Sequence, residues 1–561
     1  MEGLKELAAH IVAKAVKEVF PEAKLGDFEI GKEKSYYEFK IKPLKAKDVE
    51  EIQKRIDEIS KNVEYEVLEQ DTKAAKSLFK NEEYKQLILE NHPGKVSIIK
   101  INGFFDVCKH VPEGKEVFIK VLNVSSSYWK LIDDAMQRVW FVAFPNKEQL
   151  EEYVQRLEEL KKRDHRYIGE KLDLFHVEEI VVGPGLPIIH PKGMVIRNEL
   201  IKFMREVNDE MGFQEVWTPH LAKTILWKIS GHYQKYVDKM FMWDMDDEEW
   251  SLKPMNCPLH IQIYKFKPRS YRDLPIRFSE FATVYRKEQS GELHGLARVW
   301  SLTQDDHHVI ARPDQIKQEI KNIVKSVIKV YDVFKLEYKV NLSTKPEKYI
   351  GSDDLWELAE KSLKEVLEEM RKEVGLRYEV KEGEGAFYGP KIDFDVKDVM
   401  GRWWQLATIQ LDFFMPQRFE LSYVDKDGKE KRPVMIHLAI LGSLERFMAM
   451  IIEHFGGRFP VWLAPIQVRI IPVSQNYVSY ASQLLQRMKK ERIRVDMDEE
   501  GTVEYRVRNA EIEKIPYIVI VGKREAESGK LAVRKAGKVS VLGVDEFISK
   551  IKEEIDKRLI G

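Results

Sequence analysis

From Lys147 to about Gly169, in KEQLEEYVQRLEELKKRDHRYIG, apolar residues return every three or four positions among charges. That period predicts one long solvent-exposed helix, suited to connecting two domains. MEGLKELAAHIVAKAV predicts an amphipathic opening helix, and a Lys/Glu-rich stretch near 47–60 predicts another. YYEFKIKPL and KVSIIKING read as strands. The segment VVGPGLPIIHPKG (181–193) is dense in Gly and Pro and marks a boundary. The block after it is aromatic-rich and carries strand-like runs such as LPIRFSEFATVYR and WWQLATIQLDFF. Beyond Trp462-Leu463-Ala464-Pro465 the pattern alternates: strand QVRIIPV, helix NYVSYASQLLQRMKKER, strand IRVDMD, helix EYRVRNAEIEK, strand YIVIVG and a final helix. That order predicts a small α/β domain with helices covering a sheet. The chain therefore divides into 1–145, a helical linker over 146–180, a large domain over 181–463 and a terminal domain over 464–561.

The length, 561 residues, agrees with three or four domains, each able to bury a core. With 92 Lys+Arg against 93 Asp+Glu the net charge is −1, so a nucleic-acid partner would have to be met by local patches on a neutral body. Charged residues at 33% exceed the roughly 25% usual for globular chains and lean towards a thermophile composition. Two cysteines, Cys108 and Cys257, exclude a disulfide scaffold and suit a reducing cytosol. No run reaches the ~18 apolar residues of a membrane span, and the N-terminus lacks the features of a signal peptide. A soluble cytoplasmic protein is expected.

Several segments carry candidate chemistry. Read as a strand, Leu302-Thr-Gln-Asp-Asp-His-His-Val-Ile310 puts Gln304, Asp306 and His308 on one face, with Asp305 and His307 on the other. Lys253-Pro-Met-Asn-Cys257-Pro holds a sulfur between two prolines, and Val434-Met-Ile-His437 sets a histidine in an apolar run. Cys257, His308 and His437 would make a three-ligand zinc set with an open position. Each also reads as an inert buried cysteine or a satisfied core histidine. Tyr285-Arg286-Lys-Glu288 offers a guanidinium for phosphate and a carboxylate for an amine, or else a cross-strand salt bridge. The loop that follows is expected to bring His294 and Arg298 over the same pocket. Gly442-Ser443-Leu-Glu445-Arg446 opens an apolar helix, which suits an anion or simply a capped helix. Tyr388 and Lys391 sit at a tight turn entering a strand, and Gln410 and Asp412 interrupt another. No Walker A or GxGxxG fingerprint occurs.

Together these residues resemble threonyl-tRNA synthetase, a class II aminoacyl-tRNA synthetase, from about 147 to 561. Gly212-Phe-Gln-Glu-Val-Trp-Thr-Pro219 resembles motif 1, Tyr285–Glu288 motif 2, and Gly442–Arg446 motif 3. Lys253–Pro258, Thr303–His308 and Ile436-His437 resemble the threonine enzyme specifically. The resemblance implies an α+β multidomain protein: an antiparallel class II sheet flanked by helices, a C-terminal α/β anticodon-binding domain and an N-terminal α+β editing-like domain. It also implies a homodimer through motif 1, and tRNA(Thr), ATP with Mg²⁺ and L-threonine as partners. One zinc would sit on Cys257, His308 and His437. Arg286 would hold the α-phosphate, Glu288 the adenine amine, Arg446 the γ-phosphate and Arg298 the distal phosphates, with Ser443 in the ATP site. Gln410, Tyr388 and Lys391 would line the adenylate pocket, Asp306 would accept from the threonine hydroxyl, and Gln304 would place the amine. His232 matches a histidine near the tRNA terminal ribose, and Glu527, Lys530 and Arg534 are candidate RNA contacts. Leu438 departs from the arginine usual in bacterial relatives.

Residues 1–145 resemble the serine-editing domain of the family, and the domain that usually precedes it is expected to be absent. The family site shows two histidines four apart, then a cysteine and a histidine four apart. Here His10 has Glu6 and Lys14 as its neighbours four away, and the second pair has shrunk to Cys108-Lys-His110. His10, Cys108 and His110 therefore read as a vestigial site with weak or absent serine editing.

Overall fold

The structure, a computed structural model, describes residues 2–61, 63–92, 94–129 and 134–560. Two compact units appear, Met1–Glu159 and Leu160–Gly561. In the first, the helix Glu2–Val19 buries Leu7, Ile11, Val12 and Val16 in one core with Tyr37, Phe39, Val139 and Phe141. Those last four come from a four-stranded antiparallel sheet ordered Lys24–Glu29, Ser35–Lys40, Asp134–Phe144, Phe118–Trp129. The helix Ala46–Ile59 adds Ile52, Ile56 and Ile59 at 3.6-residue spacing. A smaller sheet of Tyr65–Asp71, Lys95–Ile101 and Phe104–Val107 completes the unit.

The expected connecting helix is two helices. Lys147–Arg163 buries no residue, and a second helix, His165–Lys171, starts where the Asp164 carboxylate accepts the backbone N–H of Arg166. A side chain that caps a new helix ends the old one.

The centre of the second unit is an eight-stranded sheet. Its order is Gln214–Glu215, Ile276–Tyr285, Ser301–Ala311, Val434–Ser443, Trp403–Asp412, Lys391–Lys397, Tyr338–Ser343, Tyr378–Lys381. The six inner strands pair antiparallel, and the two edge strands pair parallel to their neighbours. Alternate residues such as Ile392, Phe394, Ile409, Leu411, Ile436 and Leu438 share a core with the helices Pro191–Met211, Ile316–Phe334, Asp353–Val374 and Leu444–Phe455. The residues between them are polar and face the other side, where a cavity opens.

Residues 468–543 build a five-stranded sheet ordered Val495–Met497, Val468–Pro472, Tyr517–Val521, Lys530–Lys535, Lys538–Gly543. The first three strands are parallel, as the alternation predicts. The last two form an antiparallel hairpin, which the sequence reading did not resolve. Its charged residues hide the period-2 signal.

Candidate active site

Register decides which side chains meet. Across four neighbouring strands, His308 pairs with His437, His437 with Gln410, and Gln410 with Lys391. The next row joins Glu280, Asp306, Ala439 and Thr408. These rows form the floor of a cavity of about 510 Å³. Cys257, Arg286, Gln304, Asp306, His308, Tyr388, Lys391, Gln410, His437, Ser443 and Arg446 all line it. Other expected residues sit apart from that lining or off the strands. His232 is fully buried outside the lining, with Nδ1 2.8 Å from Ser230 Oγ and Nε2 4.0 Å from Cys257 Sγ. Arg286 and Glu288 lie past the end of the strand Ile276–Tyr285, on the segment that leads into the following loop. His294 and Arg298 line a separate cavity of about 380 Å³, because the loop folds back at Gly295.

The ligand atoms of Cys257, His308 and His437 lie within 4.8 Å of one another. Their outer partners orient the two imidazoles. His437 Nε2 is 2.9 Å from an Asp412 carboxylate oxygen, which takes the proton there and leaves Nδ1 as a lone pair. Glu280 Oε2 stands 3.0 Å from His260 Nε2, so His260 Nδ1 accepts from His308 Nδ1 at 2.8 Å. His308 Nε2 then also offers a lone pair, 3.0 Å from His437 Nδ1. Two lone pairs at that distance could share one cation. Burial, with His260 and His437 nearby, holds His308 well below the usual histidine range and keeps it neutral. Burial raises the Cys257 thiol, and Asp306 and Asp412 add to the effect.

Cys257 is presented by a buried polar knot. Lys253 Nζ donates to Thr218 Oγ1 (2.9 Å) and Asn256 Oδ1 (2.8 Å), and Asn256 Nδ2 donates to Glu280 (2.8 Å). Pro258 then occupies the first turn of the helix Cys257–Lys265, where no N–H is needed. Sequence reading missed this support. Its one signal is His260, a helical turn after Cys257, on the same face.

Two guanidinium groups, Arg286 and Arg446, line the same cavity, and the charge of Arg298 reaches Arg446 from beside it. Arg446 Nε donates to the Ala297 carbonyl at 3.0 Å, and the Arg286 side chain is tied to the Pro254 carbonyl at 3.1 Å. Burial lowers the Arg446 pKa, and the charges of Arg298 and Arg286 lower it further. Mutually repelling cations held in place make an anion site. Glu288 bonds Lys239 (2.8 Å) and Arg298 (3.3 Å). Ser443 Oγ caps its helix by accepting the Arg446 N–H. Gln410 Nε2 reaches the Gly389 carbonyl at 3.2 Å, and Lys391 pairs with Asp393. Burial, with Glu280 and Asp305 nearby, pushes Asp306 up to about 8.

Residues 236–455 match the tRNA synthetase class II core domain (G, H, P, S and T), and 467–554 match an anticodon binding domain. A threonine–tRNA ligase from Carboxydothermus hydrogenoformans is 45% identical over 558 residues, spanning 97% of this chain and 87% of that protein. The chain belongs to the threonine–tRNA ligases, a class II aminoacyl-tRNA synthetase family. A threonine–tRNA ligase catalytic subunit from Sulfurisphaera tokodaii is 53% identical over 459 residues, covering 78% of this chain and 84% of its own. Among solved structures, the RNA binding domain of threonyl-tRNA synthetase from Cryptosporidium parvum Iowa II aligns with a TM-score of 0.66 at 38% identity, covering 70% of this chain and 98% of that one. Prolyl-tRNA synthetase of the same organism shares the fold, with a TM-score of 0.56 at 16% identity over 70% of this chain and 77% of that one.

Away from the cavity, Glu527 and Lys530 are exposed beside the C-terminal hairpin, while Arg534 pairs with Glu511 at 2.7 Å. In the N-terminal unit His10 and Cys108 converge, but His110 does not join them. It is exposed, and only its backbone N–H meets Glu6, at 3.2 Å.

Proposed function

We propose that the chain joins threonine to ATP as threonyl-adenylate, releasing pyrophosphate, and then passes the threonyl group to the 3′ end of tRNA(Thr). The observation that carries this is the cavity itself, lined by a Cys/His/His set together with Arg286 and Arg446, with the Arg298 charge close to Arg446 from a neighbouring cavity. Arg286 takes the α-phosphate, Arg446 the γ-phosphate and Arg298 the distal phosphates, with Mg²⁺ accompanying ATP. Glu288 takes the adenine amine, while Ser443 and Gln410 complete the nucleotide pocket. Tyr388, Lys391 and Gln304 position the amino acid, and Asp306 accepts from its hydroxyl. His232, behind Cys257, acts in the transfer step only by positioning. The work done is orientation and charge stabilisation.

Cys257, His308 and His437 fit one zinc, since two lone pairs and a thiol converge with carboxylate and imidazole partners behind them. When bound, zinc supplies a Lewis-acid position open to the amine and hydroxyl of threonine. A site built to meet that hydroxyl rejects valine strongly. Serine lacks only a methyl, worth about 1–3 kcal/mol, so it is admitted more easily. We also propose that residues 1–145 edit serine weakly or not at all, with 146–180 as linker, 181–463 as catalytic domain and 464–561 contacting the anticodon arm through Glu527, Lys530 and Arg534. Pre-formed seryl-tRNA incubated with the enzyme should persist; rapid release of serine would overturn that reading. A second copy covers motif 1, and the enzyme works in the cytoplasm.

The direct test is ATP–pyrophosphate exchange with a panel of amino acids, alongside metal content. Threonine should drive exchange, and Cys257→Ser should lose both the zinc at this site and threonine activation. A Cys257→Ser chain that retains both would sink the assignment.

A further inference from the structure

On the helix Glu2–Val19, Glu6 and His10 are one turn apart and both fully buried. Cys108 reaches them from the end of the strand Phe104–Val107. The three candidate ligand atoms lie within 4.8 Å of one another. Asp106 settles the imidazole: its Oδ2 stands 2.7 Å from His10 Nδ1 and accepts the Tyr37 hydroxyl at 2.8 Å, while Oδ1 pairs with Lys85 Nζ at 2.7 Å. An acceptor-only carboxylate there puts the ring proton on Nδ1 and aims the Nε2 lone pair at Glu6 and Cys108. Glu6 is also held, because its Oε1 accepts the backbone N–H groups of Lys109 (2.7 Å) and His110 (3.2 Å). Two atoms are left over. His10 Nε2 and Glu6 Oε2 are buried without a hydrogen-bond partner. Each such orphan is normally costly, and the two residues are close, with His10 Nε2 3.4 Å from the other Glu6 oxygen, Oε1.

We propose that Glu6, His10 and Cys108 form a second metal site, for a zinc-class divalent cation. One nitrogen, one carboxylate oxygen and one sulfur suit zinc or cobalt and not magnesium or calcium, which take oxygen. Asp106 behind His10 is the outer carboxylate that such sites use to orient a ligating imidazole. The charges balance as well, since Lys85 offsets Asp106 while a dication offsets Glu6 and a Cys108 thiolate. Cys108 is only half-buried, so the cluster lies near the surface. A proton is the competing occupant: burial lowers the His10 pKa, but Asp106 outweighs it and, with Cys108 and Glu6, raises it well above the usual value. Loading is therefore measured at mildly alkaline pH, where protons compete less.

The site is independent of the Cys257 set, so the two are tested apart. The full-length chain carrying Cys257→Ser, reconstituted with Co²⁺, should hold one ion per chain and keep a sulfur-to-metal charge-transfer band. Adding Cys108→Ser should abolish the band, and adding Glu6→Gln instead should lower the occupancy, with circular dichroism unchanged in both. Metal analysis of the unmutated chain should give two zinc ions. A Cys257→Ser chain that binds no metal, or one whose band survives Cys108→Ser, would overturn the proposal and leave the cluster as a proton-sharing network.

Discussion

Single residues carry the substrate logic. Asp306 projects into the cavity two residues before His308 on the same strand, with His308 Nδ1 3.8 Å from its carboxylate. Asp306→Ala should lower threonine activation by about 10–100-fold, the ~1–3 kcal/mol of one lost polar contact, while ATP binding changes little. Pyrophosphate exchange with threonine and valine checks this, since an unchanged threonine-over-valine preference would show that Asp306 does not see the hydroxyl. Behind it, Glu280 is held down to about 2: burial alone would raise it, but hydrogen bonds from His260 and Asn256 and the Lys253 charge prevail. A carboxylate depressed from 4.5 to about 2 stabilises the fold above pH 4.5 and loses that contribution as pH falls towards 2. The size is about 3 kcal/mol. Denaturant titrations between pH 5 and about 2.5 should show a steeper loss for the native chain than for Glu280→Gln.

At the scale of elements, the helix Ile316–Phe334 is tied to the sheet by more than apolar contact. Tyr331, fully buried, donates its hydroxyl to the Ile440 carbonyl and accepts the Ala407 N–H, both at 2.9 Å. One phenol thus spans the two neighbouring strands Val434–Ser443 and Trp403–Asp412, which bear His437 and Gln410. Tyr331→Phe should leave a buried N–H and a buried carbonyl short of a partner and cost about 1–3 kcal/mol. Thermal melting checks the expected fall in Tm. Asp305 plays a similar part, accepting the N–H groups of Ile440 (2.9 Å) and Leu441 (2.8 Å) just before Gly442 turns at φ 76°. The polar residues on the hidden face of Ser301–Ala311 thus hold strands together while those on the open face line the cavity.

For the whole molecule, the surface after Gln214–Glu215 carries an indole that a lone chain would leave in water. Trp217 is 73% exposed, directly within the motif 1 segment. Large exposed aromatics mark interaction surfaces, and a second copy is the proposed cover. Trp217→Asp should shift the protein towards monomers in sedimentation analysis while its circular dichroism stays unchanged. A chain that sediments as a dimer with Asp at 217 would place the interface elsewhere.

Much of this was legible in the chain alone. Period-2 alternation put Gln304, Asp306 and His308 on one face, and period-3.6 patterns found the helices Glu2–Val19 and Ala46–Ile59, because both depend only on local backbone geometry. Residue type also nominated Cys257, His308 and His437. What local pattern could not decide was register and return path. The pairing of His308 with His437 joins residues over 100 positions apart, His437 in turn pairs with Gln410, and only the packed sheet aligns all three. The same holds for the fate of single side chains. His232 turns inward, Arg298 lines a neighbouring cavity, and His110 points to solvent while Glu6 takes the place beside His10. Those outcomes were left to tertiary structure because a side chain's partners are set by what the rest of the chain packs around it.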